Sequence, residues 1–201
     1  LKKIGAERQF IYFLFGICLI VAASSIAAPL QSVYFINERG VSDRWMGIWA
    51  MALSTGAVFG TLIWRKLQNT RGSYAIFSWT VPISGVYFLL IILAPNVELI
   101  LMATLFAGWM NAGTDVGIWL GLFRYGSEAR RTMLINIYIG FALGIPFIAA
   151  FFIPFLTNRF TLTEIFIGSF IVRTLVGLYF KIPSVYALLK DQVPNNPSES
   201  R

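Results

Sequence analysis

Histidine is absent from this chain of 201 residues, and cysteine occurs once, as Cys18. The absence of histidine excludes His-ligated metal sites, His-ligated haem and Ser–His catalysis. A single cysteine forms no disulfide within the chain. The sequence also lacks a Walker-type phosphate loop and paired carboxylates at a spacing suited to acid–base catalysis. We therefore expect no enzyme activity, no metal site and no bound cofactor other than lipid.

Charged residues are scarce as well, at 12% of the chain against about 25% in soluble domains, whereas hydrophobic residues make up 57%. The apolar residues form six stretches, each close to the roughly 20 residues that a helix needs to cross a bilayer. The sequence thus predicts an all-α polytopic membrane protein with one six-helix domain over 1–190. The polar residues 191–201 predict a disordered C-terminal tail. The six stretches are 10–36, 45–64, 74–94, 98–122, 133–156 and 164–182.

The net charge of +7 comes from basic residues at the ends of these stretches, which indicates membrane topology rather than nucleic-acid binding. If both termini lie on one side, the opposite side holds only Arg39, Arg44 and Arg159. Because positive residues favour the inner side, we expect both termini in the cytoplasm, in an inner or plasma membrane of bacterial type. The basic residues on the predicted inner side are Lys2, Lys3, Arg8, Arg65, Lys66, Arg71, Arg124, Arg130, Arg131, Lys181, Lys190 and Arg201.

Polar residues interrupt the apolar stretches at helical spacing. Gln31 lies in the first stretch, and Thr104, Asn111 and Asp115 share one face of the fourth. We interpret them as a candidate solute pathway, although hydrogen bonds between helices would explain them equally well. Arg173 is the other ionisable residue well inside a stretch, and we expect it to bond backbone carbonyls or to snorkel; substrate binding is the alternative. Asp115 and Arg173 lie about 25 and 13 Å below the outer ends at about 1.5 Å per residue, which argues against a direct salt bridge.

Small residues recur four apart in the fourth and fifth stretches. Such a spacing lets helix backbones approach closely, so it predicts helix packing. Just beyond the second set, a proline is expected to break the helix. The residues concerned are Gly113, Gly117 and Gly121 in the fourth stretch, and Gly140, Gly144 and Pro146 in the fifth.

The order of these features resembles one six-helix half of a major facilitator superfamily (MFS) transporter, a family built from two such halves. The second stretch ends in Gly60, Arg65, Lys66 and Arg71, similar to the glycine–aspartate–basic loop signature of that family. Trp64 stands where the family has its aspartate. The resemblance covers most of the chain and is closer to the C-terminal half of such a transporter, or to a half-length relative.

The resemblance implies membrane transport of a small solute, with the first and fourth stretches lining the pathway. An alternative is a non-transporting structural or assembly subunit with an MFS-like fold in a larger membrane complex, for example one that handles pigment–proteins. Both functions predict contact with membrane lipid and bound lipids. Both also predict a partner across the polar face, because each unsatisfied polar group in hydrocarbon costs on the order of several kcal/mol. That partner would be a second six-helix half, a second copy or other membrane subunits.

Overall fold

A computed structural model describes residues 2–71, 73–125 and 131–182. Side chains are described for 10–68, 75–123 and 131–182. All regular secondary structure in these segments is helical. The helices are α1 (Lys2–Ser25), α2 (Ala27–Asn37), α3 (Asp43–Arg71), α4 (Ser73–Leu93), α5 (Val97–Tyr125), α6 (Arg131–Arg159) and α7 (Leu162–Tyr179).

Six segments of the described chain are long and apolar enough to cross a membrane, which confirms the predicted number of candidate membrane-spanning helices. Their limits differ from the predicted ones by a few residues. The predicted C-terminal tail lies outside the described residues. The six segments are Phe10–Asn37, Asp43–Gln68, Ala75–Leu93, Val97–Phe123, Arg131–Arg159 and Leu162–Tyr179.

The first crossing consists of two helices, where the sequence predicts a single apolar stretch. Pro29 has no N–H to donate to the carbonyl of Ser25, and its ring displaces that carbonyl. The helix is consequently interrupted by a turn at Ile26. One residue before the last of α1, the Ser24 hydroxyl donates to the Ile20 carbonyl at 2.9 Å, a local bond that favours bending.

Helices α3 and α5 pack backbone against backbone. A Cβ atom added at Gly56 would overlap the carbonyl oxygen of Leu105, and one added at Gly108 would overlap that of Leu53. A Cβ atom at Gly60 would lie 2.6 Å from a carbonyl oxygen of α5. Since backbone atoms cannot move aside as side chains do, these three glycines are required for the close approach of the two helices.

The glycines predicted to pack in α5 make room for side chains rather than for a neighbouring backbone. A Cβ atom at Gly117 would overlap the ring of Phe77 in α4, and one at Gly121 would overlap the ring of Phe13 in α1. Gly113 lies against side chains of α3 and α4. These residues therefore do take part in helix packing, on the side of α5 that faces the core.

Helix α6 is the most exposed crossing. None of its residues is buried, and only 6% of its most apolar window is buried inside the chain. Apart from the local backbone of α6, no atom of the described residues lies within 4 Å of a Cβ position at Gly140 or Gly144, so the close contact predicted for them is not made among these residues. The predicted break at Pro146 is also wrong, because α6 continues through it to Arg159.

Arg39 joins the short turn after α2 to the end of α4. Its Nη2 donates to the carbonyl oxygens of Ile91 and Ile92 at 3.0 and 2.9 Å, and its Nε donates to the Tyr34 hydroxyl at 3.1 Å. A cation at the C-terminal end of a helix satisfies free carbonyls and complements the helix dipole. This structural role accounts for an arginine on the predicted outer side.

Helix α7 begins with a capping box. The Thr161 hydroxyl accepts the backbone N–H of Glu164 at 3.3 Å, and a Glu164 carboxylate oxygen accepts the backbone N–H of Thr161 at 2.8 Å. The reciprocal bonds satisfy two N–H groups that have no partner inside a helix. They fix the start of α7 two residues earlier than the apolar pattern alone predicts.

Candidate functional site

A cavity of about 370 Å³ lies among the helices, and all seven helices contribute to its lining. The predicted pathway residues Gln31, Asn111 and Asp115 line it together. Arg173, which was predicted to be structural, lines the same cavity. Its polar lining is completed by Ser24, Trp49, Ser84, Tyr87, Thr114 and Tyr138.

The Tyr87 hydroxyl is the centre of a hydrogen-bonded group on the cavity wall. It donates to Oε1 of Gln31 at 3.3 Å and accepts from Nε1 of Trp49 at 3.1 Å. The Thr104 hydroxyl lies 3.4 Å from it and donates to the Ile100 carbonyl at 2.7 Å. With Oε1 of Gln31 engaged in this way, its amide N–H groups remain to donate to a ligand.

Thr104 occupies a different place from the one predicted. It is fully buried and lies one layer behind Tyr87 instead of on the cavity wall. The inclusion of Thr104 in the pathway is therefore corrected, and its contact is with the side chain that orients Gln31. Thr104 and Asn111 share one face of α5 but lie two turns, about 10 Å, apart along its axis, and the cavity reaches only Asn111.

The Arg173 guanidinium is held by two serine hydroxyls rather than by the predicted backbone carbonyls. Its Nη1 donates to Oγ of Ser84 at 2.8 Å and its Nη2 donates to Oγ of Ser24 at 3.0 Å. Each serine gives its own proton to a carbonyl of the preceding turn, which leaves its oxygen free to accept. The ring of Phe88 lies 5.0 Å from the guanidinium carbon, a cation–π contact.

Asp115 faces two spaces. Asp115 is exposed, and it lines both the cavity and a surface groove of about 350 Å³ between α3 and α5. Thr61 and Arg65 line the same groove. Among the described side chains, it makes no hydrogen bond and no salt bridge. In particular it does not pair with Arg173, in agreement with the difference in depth estimated from the sequence.

The residues predicted to form a loop signature lie on a helix. Helix α3 extends through Arg71, well past the predicted end of the second stretch. Gly60 packs against α5, whereas Arg65 and Lys66 are exposed. The side chain of Arg71 lies outside the described residues. The resemblance at these positions is thus one of residue order along a helix end.

Sequence reasoning missed Trp49, Ser84 and Tyr87. A signal was present, because Ser84 and Tyr87 are three residues apart and share one face of α4. Tyrosine and tryptophan inside an apolar segment also need a partner for the O–H or N–H group. Their partners come from other helices, however, and only the folded arrangement identifies them.

No family model, curated protein or solved structure matches this chain. The functional argument therefore rests on the residues of the cavity. Their chemistry is that of binding: one guanidinium, one carboxyl group, and amide and hydroxyl groups surround a space large enough for a small solute.

Proposed function

We propose that this chain forms one half of a secondary transporter of MFS type and that the cavity is its site for a small polar solute. The observation that supports the proposal is the convergence of Gln31, Asn111, Asp115 and Arg173 on one cavity in a bundle with an apolar exterior. Polar groups inside crossing segments are costly unless they face water, protein or a bound solute. Separate hydrogen bonds between helices would not require these four side chains to face the same space, whereas a binding site would.

A partner is part of the proposal, because the cavity is only partly enclosed and two of the helices that line it are largely exposed. Helices α3 and α6 are its least buried crossings, with 11% and 6% of their most apolar windows buried. Both supply cavity residues: Trp49 comes from α3 and Tyr138 from α6. A second six-helix half, or a second copy, that packs on these two helices would close the cavity from the hydrocarbon.

The alternative, a structural or assembly subunit, is favoured by one feature. Helix α6 exposes a row of phenylalanine side chains. Among them, Phe147 and Phe151 are 68% and 69% exposed, and their ring centroids lie 5.2 Å apart. Such a surface suits the packing of partner helices or lipid-like molecules. In that case, partner side chains would fill the cavity and water would be excluded from it.

The experiment that separates these functions is cysteine labelling in membrane vesicles. Because Cys18 is the only cysteine, Cys18→Ala gives a cysteine-free background. In this background, Thr114→Cys places a thiol on the cavity wall, whereas Thr104→Cys places one behind it. A membrane-impermeant maleimide is added to right-side-out and to inside-out vesicles.

Transport by alternating access predicts that Thr114→Cys is labelled from both sides and that Thr104→Cys, the matched control, is labelled from neither. Labelling of Thr114→Cys only after detergent has dissociated a native complex would support the assembly subunit. Labelling from one side alone would contradict transport, because the cavity would then have a single entrance.

A further inference from the structure

The cavity contains a cationic and an acidic side chain that do not touch. Arg173 is only 9% exposed, and both of its hydrogen-bond acceptors among the described residues are neutral hydroxyls. Arginine stays protonated in proteins, so the serines satisfy its N–H groups without neutralising its charge. A buried charge that lacks an opposite charge is unfavourable, and an anionic group in the cavity would relieve it.

The guanidinium is prepared to receive such a group. Each terminal nitrogen carries two N–H groups and uses one of them on a serine, so each has one left to donate. A carboxylate can accept N–H groups from both terminal nitrogens of a guanidinium at once. The fixed serine contacts and the Phe88 ring hold the guanidinium in place before a ligand arrives.

Asp115 is separated from Arg173 along the bundle. Helices α5 and α7 run in the same direction, since α6 crosses once between them. At about 1.5 Å per residue, Asp115 lies roughly 27 Å from the start of α5 and Arg173 roughly 16 Å from the start of α7, an axial offset of roughly 10 Å. Two charged groups at such an offset are bridged best by a ligand with a spacer between its own charges.

We infer that the cavity binds a dipolar solute, with its anionic group on Arg173 and its cationic group on Asp115. Gln31 and Asn111 line the same cavity and supply hydrogen bonds to the part of the solute between its two charges. The inference names the solute class of the proposed transporter and in that sense rests on the proposed function. Binding itself, however, is measured without transport.

Binding is tested on the purified full chain in detergent, by thermal unfolding and by isothermal titration. The dipolar probes are β-alanine, γ-aminobutyrate and ε-aminocaproate, which differ in spacer length. The singly charged controls are n-caproate and n-hexylamine. We expect a dipolar probe to raise the melting temperature and to bind at least about tenfold more tightly than either control, with an optimum in spacer length.

Two variants assign the charges. Asp115→Asn should remove the preference for ε-aminocaproate over n-caproate, and Arg173→Gln should remove its preference over n-hexylamine. If Arg173→Gln does not fold, Asp115→Asn still decides the matter, because its side chain is exposed. Glu98→Gln, an exposed change at the start of α5, is the control and should preserve both preferences.

Arg65 provides a check on the role of Asp115, since the two residues line the same surface groove between α3 and α5. If Arg65→Gln abolished the preference for ε-aminocaproate over n-caproate as fully as Asp115→Asn, the effect of Asp115 would come from its interaction with Arg65. The inference would then be overturned. Equal binding of all probes, or no binding of any, would overturn it too. Dipolar binding without two-sided labelling contradicts transport alone, whereas two-sided labelling without a dipolar preference contradicts this inference alone.

Discussion

Nε1 of Trp49 donates a hydrogen bond to the Tyr87 hydroxyl at 3.1 Å, which joins α3 to α4 at the cavity wall. The same hydroxyl donates to Gln31 of α2, so one oxygen atom connects three helices. These residues are far apart in the sequence, and their bonds form only when the helices have assembled. The group is therefore a sensitive reporter of the packed state.

The first prediction concerns this group. Tyr87→Phe should lower the free energy of unfolding by about 1 kcal/mol, because Trp49 and Gln31 both lose their partner. Trp49→Phe should have a similar effect, and the double variant should lose less than the sum, since the shared bond is already absent. Denaturation in mixed micelles measures all three. Strictly additive losses would show that the bond carries no stability.

The second prediction concerns the glycines between α3 and α5. Gly108→Ala should lower the free energy of unfolding by about 1–3 kcal/mol, because its new Cβ atom would overlap the carbonyl oxygen of Leu53. Gly144→Ala is the matched control, with open space around its Cβ position. It should be neutral or stabilising by up to about 1 kcal/mol, from helix propensity alone. Equal effects in the same unfolding assay would contradict the assigned packing.

The third prediction concerns Arg39. Arg39→Gln should lower the free energy of unfolding by about 1 kcal/mol, because the last carbonyls of α4 lose a charged donor. Arg44→Gln removes the same charge from an exposed position nearby and should change stability by less than about 0.5 kcal/mol. A loss of the same size in both variants would point to a general effect of net charge.

The fourth prediction concerns topology. In the Cys18→Ala background, cysteines at Asn69 and Ser127 should be labelled from the cytoplasmic side, and one at Asn158 from the opposite side. The reason is the excess of basic residues in each predicted inner connection. Labelling of the Asn69 position from outside would reverse the orientation.

The sequence was sufficient to predict six helices long and apolar enough to cross a membrane, because the length of an apolar stretch can be read directly from consecutive residues. It also identified Gln31, Asn111 and Asp115, which do line one cavity. Polar groups in apolar segments need polar partners or water, and a cavity inside the bundle is where they find them. The break near Pro29 was readable in principle, because proline removes a specific hydrogen bond.

What the sequence could not supply depends on neighbours from other helices. Glycine spacing alone does not tell Gly108, which lies against the backbone of α3, from Gly144, which has open space around it among the described residues. Likewise, the acceptors of Arg173 are serines from α1 and α4, at distances along the chain that no local pattern encodes. Thr104 shows the same limit, because helical spacing predicts which face of α5 a residue lies on but not how far along that face the cavity extends.

The turn at Ile26 gives the first crossing two independent attachments. Ser24, just before it, is fixed to α7 through Arg173, and Gln31, just after it, is fixed to α4 through Tyr87. Rotation about the few backbone bonds at this turn would move α2, while α1 would keep its contact with α7 through Ser24. Such a motion would also break the bonds of Arg39 to the end of α4 and uncover Tyr34 and Phe35, which are buried in one cluster with residues of α4 and α7, so its barrier is that of repacking α2 against its neighbours.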